Sequence, residues 1–391
     1  MDIYVLNKDL ETVGVIDTYI SVIWTPRYYT SGDFELYVGA TTQMLELLKV
    51  NYFLVREKDI DGDEMRNVMQ IKNIDLKNDP ENGNTLIVMG KSISAIVGQR
   101  VVSAQTSLSG QLQEVIHMLL IENLIHPLFN ARKILNFKFE LVEGLNVLRN
   151  KVEMQVTGDN LEEFISTLCE KYNIGWDVYI KNGNFVFYLY AGTDRSFDQN
   201  VNPYIVFSSD FDNLVNSDYQ YLTEDYKNVA IVAGEGQGVN RVKTIVGTAE
   251  GINRFETWVD AKDVSANEGG ISNTEYMEIL QDKGTEALTE YVHNQLFDGE
   301  TDTTTQYVLN RDFFLGDVVQ IVNDYGITAK ARILEIIESE DDSGTSVIPT
   351  FSTMTFDDEP VIDPLTHGDM RVYTHGELAE FTHEEIEEGA I

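Results

Sequence analysis

Short runs of β-branched and aromatic residues, each bounded by polar or glycine-containing punctuation, follow one another through the first hundred residues and constrain the fold more than any other feature. Ile3-Tyr4-Val5-Leu6, Thr12-Val13-Gly14-Val15-Ile16 and Phe34-Glu35-Leu36-Tyr37-Val38 are three of them, with Ser31-Gly32-Asp33 as a separator. Such side chains suit a pleated surface with one face covered, and their spacing points to a barrel or sandwich. Tyr52-Phe53-Leu54-Val55 and Val68-Met69-Gln70-Ile71 flank an acidic turn, and Thr85-Leu86-Ile87-Val88-Met89-Gly90 follows a polar loop, which makes a meander of hairpins. Only seven prolines stand against 19 tyrosines and 18 phenylalanines, which also favours strands.

Near residue 105 the period changes. Leu112, Val115, Ile116, Leu119 and Leu120 fall at helical spacing after Ser109, a candidate N-cap. Asp159 with Glu162 forms a capping-box-like pair ahead of Leu161, Phe164, Ile165, Leu168 and Tyr172. Trp176 to Ile180 and Phe185 to Tyr190 then read as a hairpin closed by Lys181-Asn182-Gly183-Asn184. Strand-like text resumes at Tyr204-Ile205-Val206-Phe207 and at 229–233, 318–322 and 331–337. One helix lies between, with Ser272 and Glu275 as a capping box, an apolar face from Tyr276 to Tyr291, and Gly299 to end it. The expected fold class is α+β, mainly β, with two β-barrel domains, an inserted α/β domain and a helical insertion. The expected parts are a first β-barrel domain over 1–104, an α/β insertion domain over 105–204, a second β-barrel domain over 205–357 with its helical insertion at about 250–304, and an acidic C-terminal tail over 358–391. A length of 391 residues, at ~150 per domain, fits two to three domains.

The formal charge of −37 argues against a surface built to hold phosphate backbones or anionic lipid heads, so nucleic acid is not expected as a ligand. A single cysteine, Cys169, rules out an intramolecular disulfide and any multi-cysteine zinc site. No run approaches the ~18 apolar residues of a membrane span, and the start lacks the basic and apolar segments of a signal peptide, so a soluble, non-exported chain without stable membrane insertion is expected.

Several motifs invite a chemical reading, and each has a plainer one. Asp59-Ile60-Asp61-Gly62-Asp63-Glu64 opens like a calcium loop, but Ile71 stands where the twelfth-position glutamate belongs, which favours a solvated hairpin turn. Gly234-Glu235-Gly236-Gln237-Gly238 follows a strand as a phosphate loop does, yet the text after it alternates like another strand, which favours a turn or bulge. Cys169 lies beside the apolar face of its helix and reads as a buried thiol. The octad Thr366-His367-Gly368, Thr374-His375-Gly376, Thr382-His383-Glu384 would place its side chains on one face of a strand, whereas a helix drifts ~80° per repeat. Three chains meeting on an axis could stack His367, His375 and His383 into rings for a transition metal; a solvated acidic tail is the preferred reading. Carboxylate pairs for glycoside or peptidoglycan cleavage are uninformative among 65 acids. No residue is assigned a catalytic, cofactor-binding or metal role, and no cofactor is expected.

Taken as an ordered set, certain motifs carry a resemblance. Ile23-Trp24-Thr25-Pro26-Arg27-Tyr28-Tyr29 with Gly32-Asp33-Phe34-Glu35-Leu36, Val156-Thr157-Gly158-Asp159-Asn160-Leu161, Asp194-Arg195-Ser196, the run from Phe207 to Leu214, Tyr226-Lys227-Asn228-Val229 and Phe314-Leu315-Gly316-Asp317-Val318-Val319 resemble the tail-tip or baseplate hub proteins of long-tailed phages of Gram-positive hosts, the tail-associated lysin (Tal) N-terminal family. The likeness runs over about residues 1–356. It implies a structural virion protein made in the host cytoplasm. That protein would be a homotrimeric hub, with two barrels per chain, that closes the tail tube and takes part in host attachment and DNA ejection. Implied partners are a second and third copy of the chain, the distal tail and tail-tube proteins, and the tape-measure protein or a central spike or fibre, with DNA passing through without specific binding. Many such proteins continue into a lytic or fibre domain; this sequence ends about 35 residues after the last strand-like run, so no enzyme is expected. The alternatives are a cell-wall hydrolase, a carbohydrate-binding adhesin of the tail tip, or the equivalent hub of a contractile injection particle.

Overall fold

The computed structural model describes residues 1–78, 83–104, 106–211, 213–214, 216–238, 241–262, 264, 273–289, 291, 294–300, 307–323, 325, 328–351 and 354–355. The chain is mainly β with few helices. Its contacts gather into two units, one formed by residues 1–217, 298–321 and 330–352, the other by 218–297 and 322–329 with 354–355. The boundaries expected at 104 and 204 fall inside the first unit, and the acidic tail with its histidine octad lies outside the described residues.

The first unit is built on an 11-stranded sheet. Its path runs Val206–Ser208, Val318–Val322, Thr328–Asp341, Ser21–Thr25, Asp33–Gly39, Thr85–Ser92, Met69–Lys77, Phe53–Arg56, Ile3–Leu6, Thr12–Ile16, and Gly344–Phe351 pairs with Thr328–Asp341 off that path. Alternation sends successive side chains to opposite faces. Leu54 joins Ile3, Val5, Trp24, Phe34 and Leu36 in one core, while Phe53 and Val55 join Leu6 and Val68 in another that also takes in residues from Val102 to Leu189. A strand covered on both faces reads as a continuous apolar run, as Phe53-Leu54-Val55 does.

Arg56 ends that strand with its side chain 1% exposed. A guanidinium taken out of water is tolerated only when paired and hydrogen-bonded. Its Nε donates to Asp59 Oδ2 at 2.5 Å, its Nη1 lies 2.8 Å from Glu338 Oε1, and its carbon sits 5.0 Å from the Trp24 ring centroid. Lys58 donates to Glu338 Oε2. Arg27 bridges Asp33 at 2.7 Å and Glu335 at 2.5 Å, and the Tyr19 hydroxyl donates to Glu340 at 2.5 Å. Three glutamates of the Thr328–Asp341 strand are thus held by side chains from the first sixty residues.

In the α/β part, the helix Leu112–Leu120 buries the expected stripe of Leu112, Val115, Ile116, Leu119 and Leu120. Ser109 does not cap it. That residue lies in the strand Thr106–Gln111 opposite Glu153, where the ladder to Lys151–Val156 outweighs a local cap; the helix starts after Gln111, whose amide donates to Glu114 Oε2 at 3.2 Å. The helix Leu161–Lys171 is capped by Asn160 rather than Asp159. Asn160 Oδ1 accepts from the amides of Glu162 and Glu163 while its Nδ2 donates to Gly98 O, a double duty that an acceptor-only carboxylate cannot perform. The following hairpin closes as expected, with Asn182 at φ 50° and Gly183 at φ 68°.

In the second unit a three-stranded sheet, in the order Lys243–Val246, Val229–Ala233, Glu256–Asp260, packs Ala230 and Val232 against Tyr276 and Leu280 of the helix Asn273–Thr289. The proposed cap Ser272 lies outside the described residues. Gly299 does not end this helix: it sits in the strand Asn294–Glu300, and the helix stops at Thr289. Gly284 marks a close approach, because a Cβ there would lie 2.6 Å from Val246 Cγ2 and 2.7 Å from Val232 Cγ2.

Two predictions follow from this packing. Gly284→Ala should lower the melting temperature even though alanine is the better helix former by about 1 kcal/mol; an unchanged or raised melting point would show that the helix moves freely. Arg56→Met should cost about 3 kcal/mol in urea unfolding, because it leaves buried Glu338 with Lys58 alone and takes the counter-ion from Asp59. Burial alone would raise the pKa of Glu338, but Arg56 and Lys58 outweigh it and hold the group below its ordinary value. Its contribution is therefore full above pH 4.5 and is lost as the pH falls through the depressed folded value, so parent and variant should converge in acid.

Candidate functional site

The Gly175–Lys181 and Asn184–Tyr190 hairpin has two faces. Trp176, Val178, Ile180, Phe187 and Leu189 enter the core, and the alternate positions carry Asp177 opposite Tyr188 and Gly175 opposite Tyr190. Onto this second face fold Pro26–Gly32, Arg66–Met69, Ala191–Arg195 and Asn310–Asp317, enclosing a cleft of about 490 Å³ within the first unit. Segments far apart in sequence therefore meet at one place.

Tyr28, fully buried, supports the floor. Its ring meets Tyr190 edge-on at 5.2 Å, and its hydroxyl accepts from Gly192 N at 3.2 Å. Gly316 passes so close, at φ +92°, that a Cβ would lie 2.2 Å from Tyr28 Cε2. Asp317 gathers the neighbouring loops by accepting from Thr193 N and Arg195 Nε at 2.7 Å each and from Phe314 N at 3.0 Å. Arg66 pairs with Glu64 at 2.5 Å, donates to the Tyr188 hydroxyl at 3.0 Å and covers the Tyr179 ring at 4.5 Å.

Asp177 differs from these committed groups. Burial pushes its carboxyl up to about 6, against the lowering effect of Ser94, the Val178 amide and Arg66. Asp317 already holds three donors, so the two carboxylates of the cleft are not equivalent.

The motifs considered in the sequence lie elsewhere. In the acidic turn, Asp59 is consumed by Arg56 and Asn67, while Asp61 and Glu64 pair across a two-residue hairpin turn. The glycine loop joins two antiparallel strands; its Glu235 amide donates to Tyr276 Oη at 2.7 Å, and Arg241 donates to the carbonyls of Ala233 and Gly234. Cys169 is buried in the core, which pushes its thiol pKa up. His367, His375 and His383 lie outside the described residues. Among the described residues no cluster of three or more His, Cys, Asp or Glu gathers as for a metal, and no helix is long and apolar enough to cross a membrane. Sequence reasoning missed Asp177, although a lone carboxylate in Gly175-Trp176-Asp177-Val178-Tyr179-Ile180 is a usable signal: alternation places it opposite the core face.

Residues 2–352 match the family of Siphovirus ReqiPepy6 Gp37-like proteins. The chain belongs to that family. No curated protein matches the sequence. Among solved structures, the 43 kDa tail protein of prophage MuSo2 from Shewanella oneidensis is similar at TM-score 0.55 and 11% identity, over 90% of this chain and 98% of that one. The tail protein from Neisseria meningitidis MC58 gives 0.54 and 12%, over 90% and 96%. Prophage tail protein gp18 from Listeria monocytogenes EGD-e gives 0.52 and 12%, over 97% and 99%. At such identities the likeness is one of fold, and it extends over nearly the whole of each chain.

Asp177 yields a pH prediction. A carboxyl whose folded pKa is raised gives most stability below its ordinary value of 3.8 and progressively less as the pH climbs to about 6. Asp177→Asn should therefore be more stable than the parent at pH 8, by on the order of 2 kcal/mol, and nearly equal to it at pH 3.5. Equal stability at both pH values would show an ordinary carboxylate.

Proposed function

We propose that this chain is a structural protein of the phage tail: a homotrimeric tail-tip or baseplate hub of the Tal type that closes the tail tube and takes part in attachment to a Gram-positive host and in DNA ejection, without turnover of its own. The observation that carries this reading is the fold shared, end to end, with three proteins named as tail proteins. In this reading each chain supplies two barrels to a pseudo-sixfold ring, with the α/β part at the periphery. The distal tail and tube proteins lie on one side and a tape-measure end or central spike on the other. The charge of −37 per chain suits a conduit for DNA, since an acidic lumen avoids the salt-dependent adhesion of a basic one.

Light scattering of the purified chain at several concentrations and two salt levels tests the proposal. A mass three times the 44.3 kDa monomer is expected, together with no clearing in a peptidoglycan zymogram. A monomer under every condition, or a cleared band, would count against the hub and in favour of a cell-wall hydrolase.

A further inference from the structure

Two polar groups of the cleft are left open. Asp177 Oδ1 accepts from Ser94 Oγ and the Val178 amide, whereas Oδ2 receives no donor among the described residues. Arg195 spends its Nε on Asp317, and its two terminal nitrogens meet no acceptor among the described residues. Both groups reach the open space of the cavity rather than being sealed from it, and a few polar groups converging on a partly apolar cavity are what a ligand completes. An anion is a poor fit, because Arg27, Arg66 and Arg195 are each already paired with a carboxylate and Asp177 would repel it. The rest of the lining includes Tyr188, Tyr190, Phe314 and Leu315. The ligand that satisfies all of these is neutral, has hydroxyls that both donate and accept, and has an apolar face.

We propose that this cleft is a saccharide site that takes a neutral pyranose unit, with Asp177 Oδ2 accepting from one hydroxyl, the terminal nitrogens of Arg195 donating to a neighbouring oxygen, and the aromatic lining covering the apolar face of the ring. Its volume of about 490 Å³ lies within the range of small-molecule sites. The site is complete within one chain and does not depend on the trimer proposed above.

Saturation-transfer NMR on the full chain, with methyl glycosides of glucose, galactose, rhamnose, N-acetylglucosamine and N-acetylgalactosamine at millimolar concentration, tests this directly. At least one should bind. Asp177→Ala, verified as folded by its melting curve, should weaken that sugar severalfold, because it removes the acceptor outright. Phe314→Ala, at a 40% exposed position, should weaken it severalfold. Transfer with none of the five, binding undiminished in both variants, or inorganic phosphate binding in place of the sugars would each overturn the proposal.

Discussion

The buried Arg56 guanidinium is the constraint on which the first unit depends. It lies against the Trp24 ring from one strand, beside Asp59 from its own turn and against Glu338 from a strand far downstream. A hydrophobic residue there would save the desolvation cost, but it would accept many neighbours. A charge that must find two carboxylates accepts very few. We regard this as the reason the Thr328–Asp341 strand settles beside Ser21–Thr25 in a single register, with Glu338 opposite Trp24, Arg27 holding Glu335 and Tyr19 holding Glu340.

The cleft is a by-product of the same arrangement. The strand pairing draws Asn310–Asp317 onto the segment Pro26–Gly32, and Asp317 and Tyr28 then fix the loops that meet the outer face of the 175–190 hairpin. The arginines of its lining, Arg27, Arg66 and Arg195, are each paired with a carboxylate.

Local elements were legible in the sequence because their causes are local. Alternation revealed the strands, a stripe at helical spacing revealed Leu112–Leu120, and Asn182-Gly183 revealed a hairpin. Errors arose where a distant partner decided the outcome. Ser109 has the chemistry of a cap, but a strand forty residues on holds it extended; Asp159 lost to Asn160 because only an amide could also reach Gly98. Gly299 looked like a helix stop and proved to be part of a strand. The cleft was invisible for the same reason: Arg27, Asp177, Arg195 and Asp317 lie in four separate stretches that only the fold brings together.

The Arg27 to Glu335 bond joins residues 308 apart, and that separation matters while the protein is being made. Until the ribosome has released the strand that bears Glu335 and Glu338, Ser21–Thr25 has an open edge and Arg56 lacks one of its two counter-ions. Ribosome-bound chains that end before this strand should therefore be good substrates for chaperones and proteases, and a chain that stalls there cannot pass as finished. Long-range pairing of this kind is slow, and it means that the edge of Ser21–Thr25 is covered only after residues 328–341 have been made.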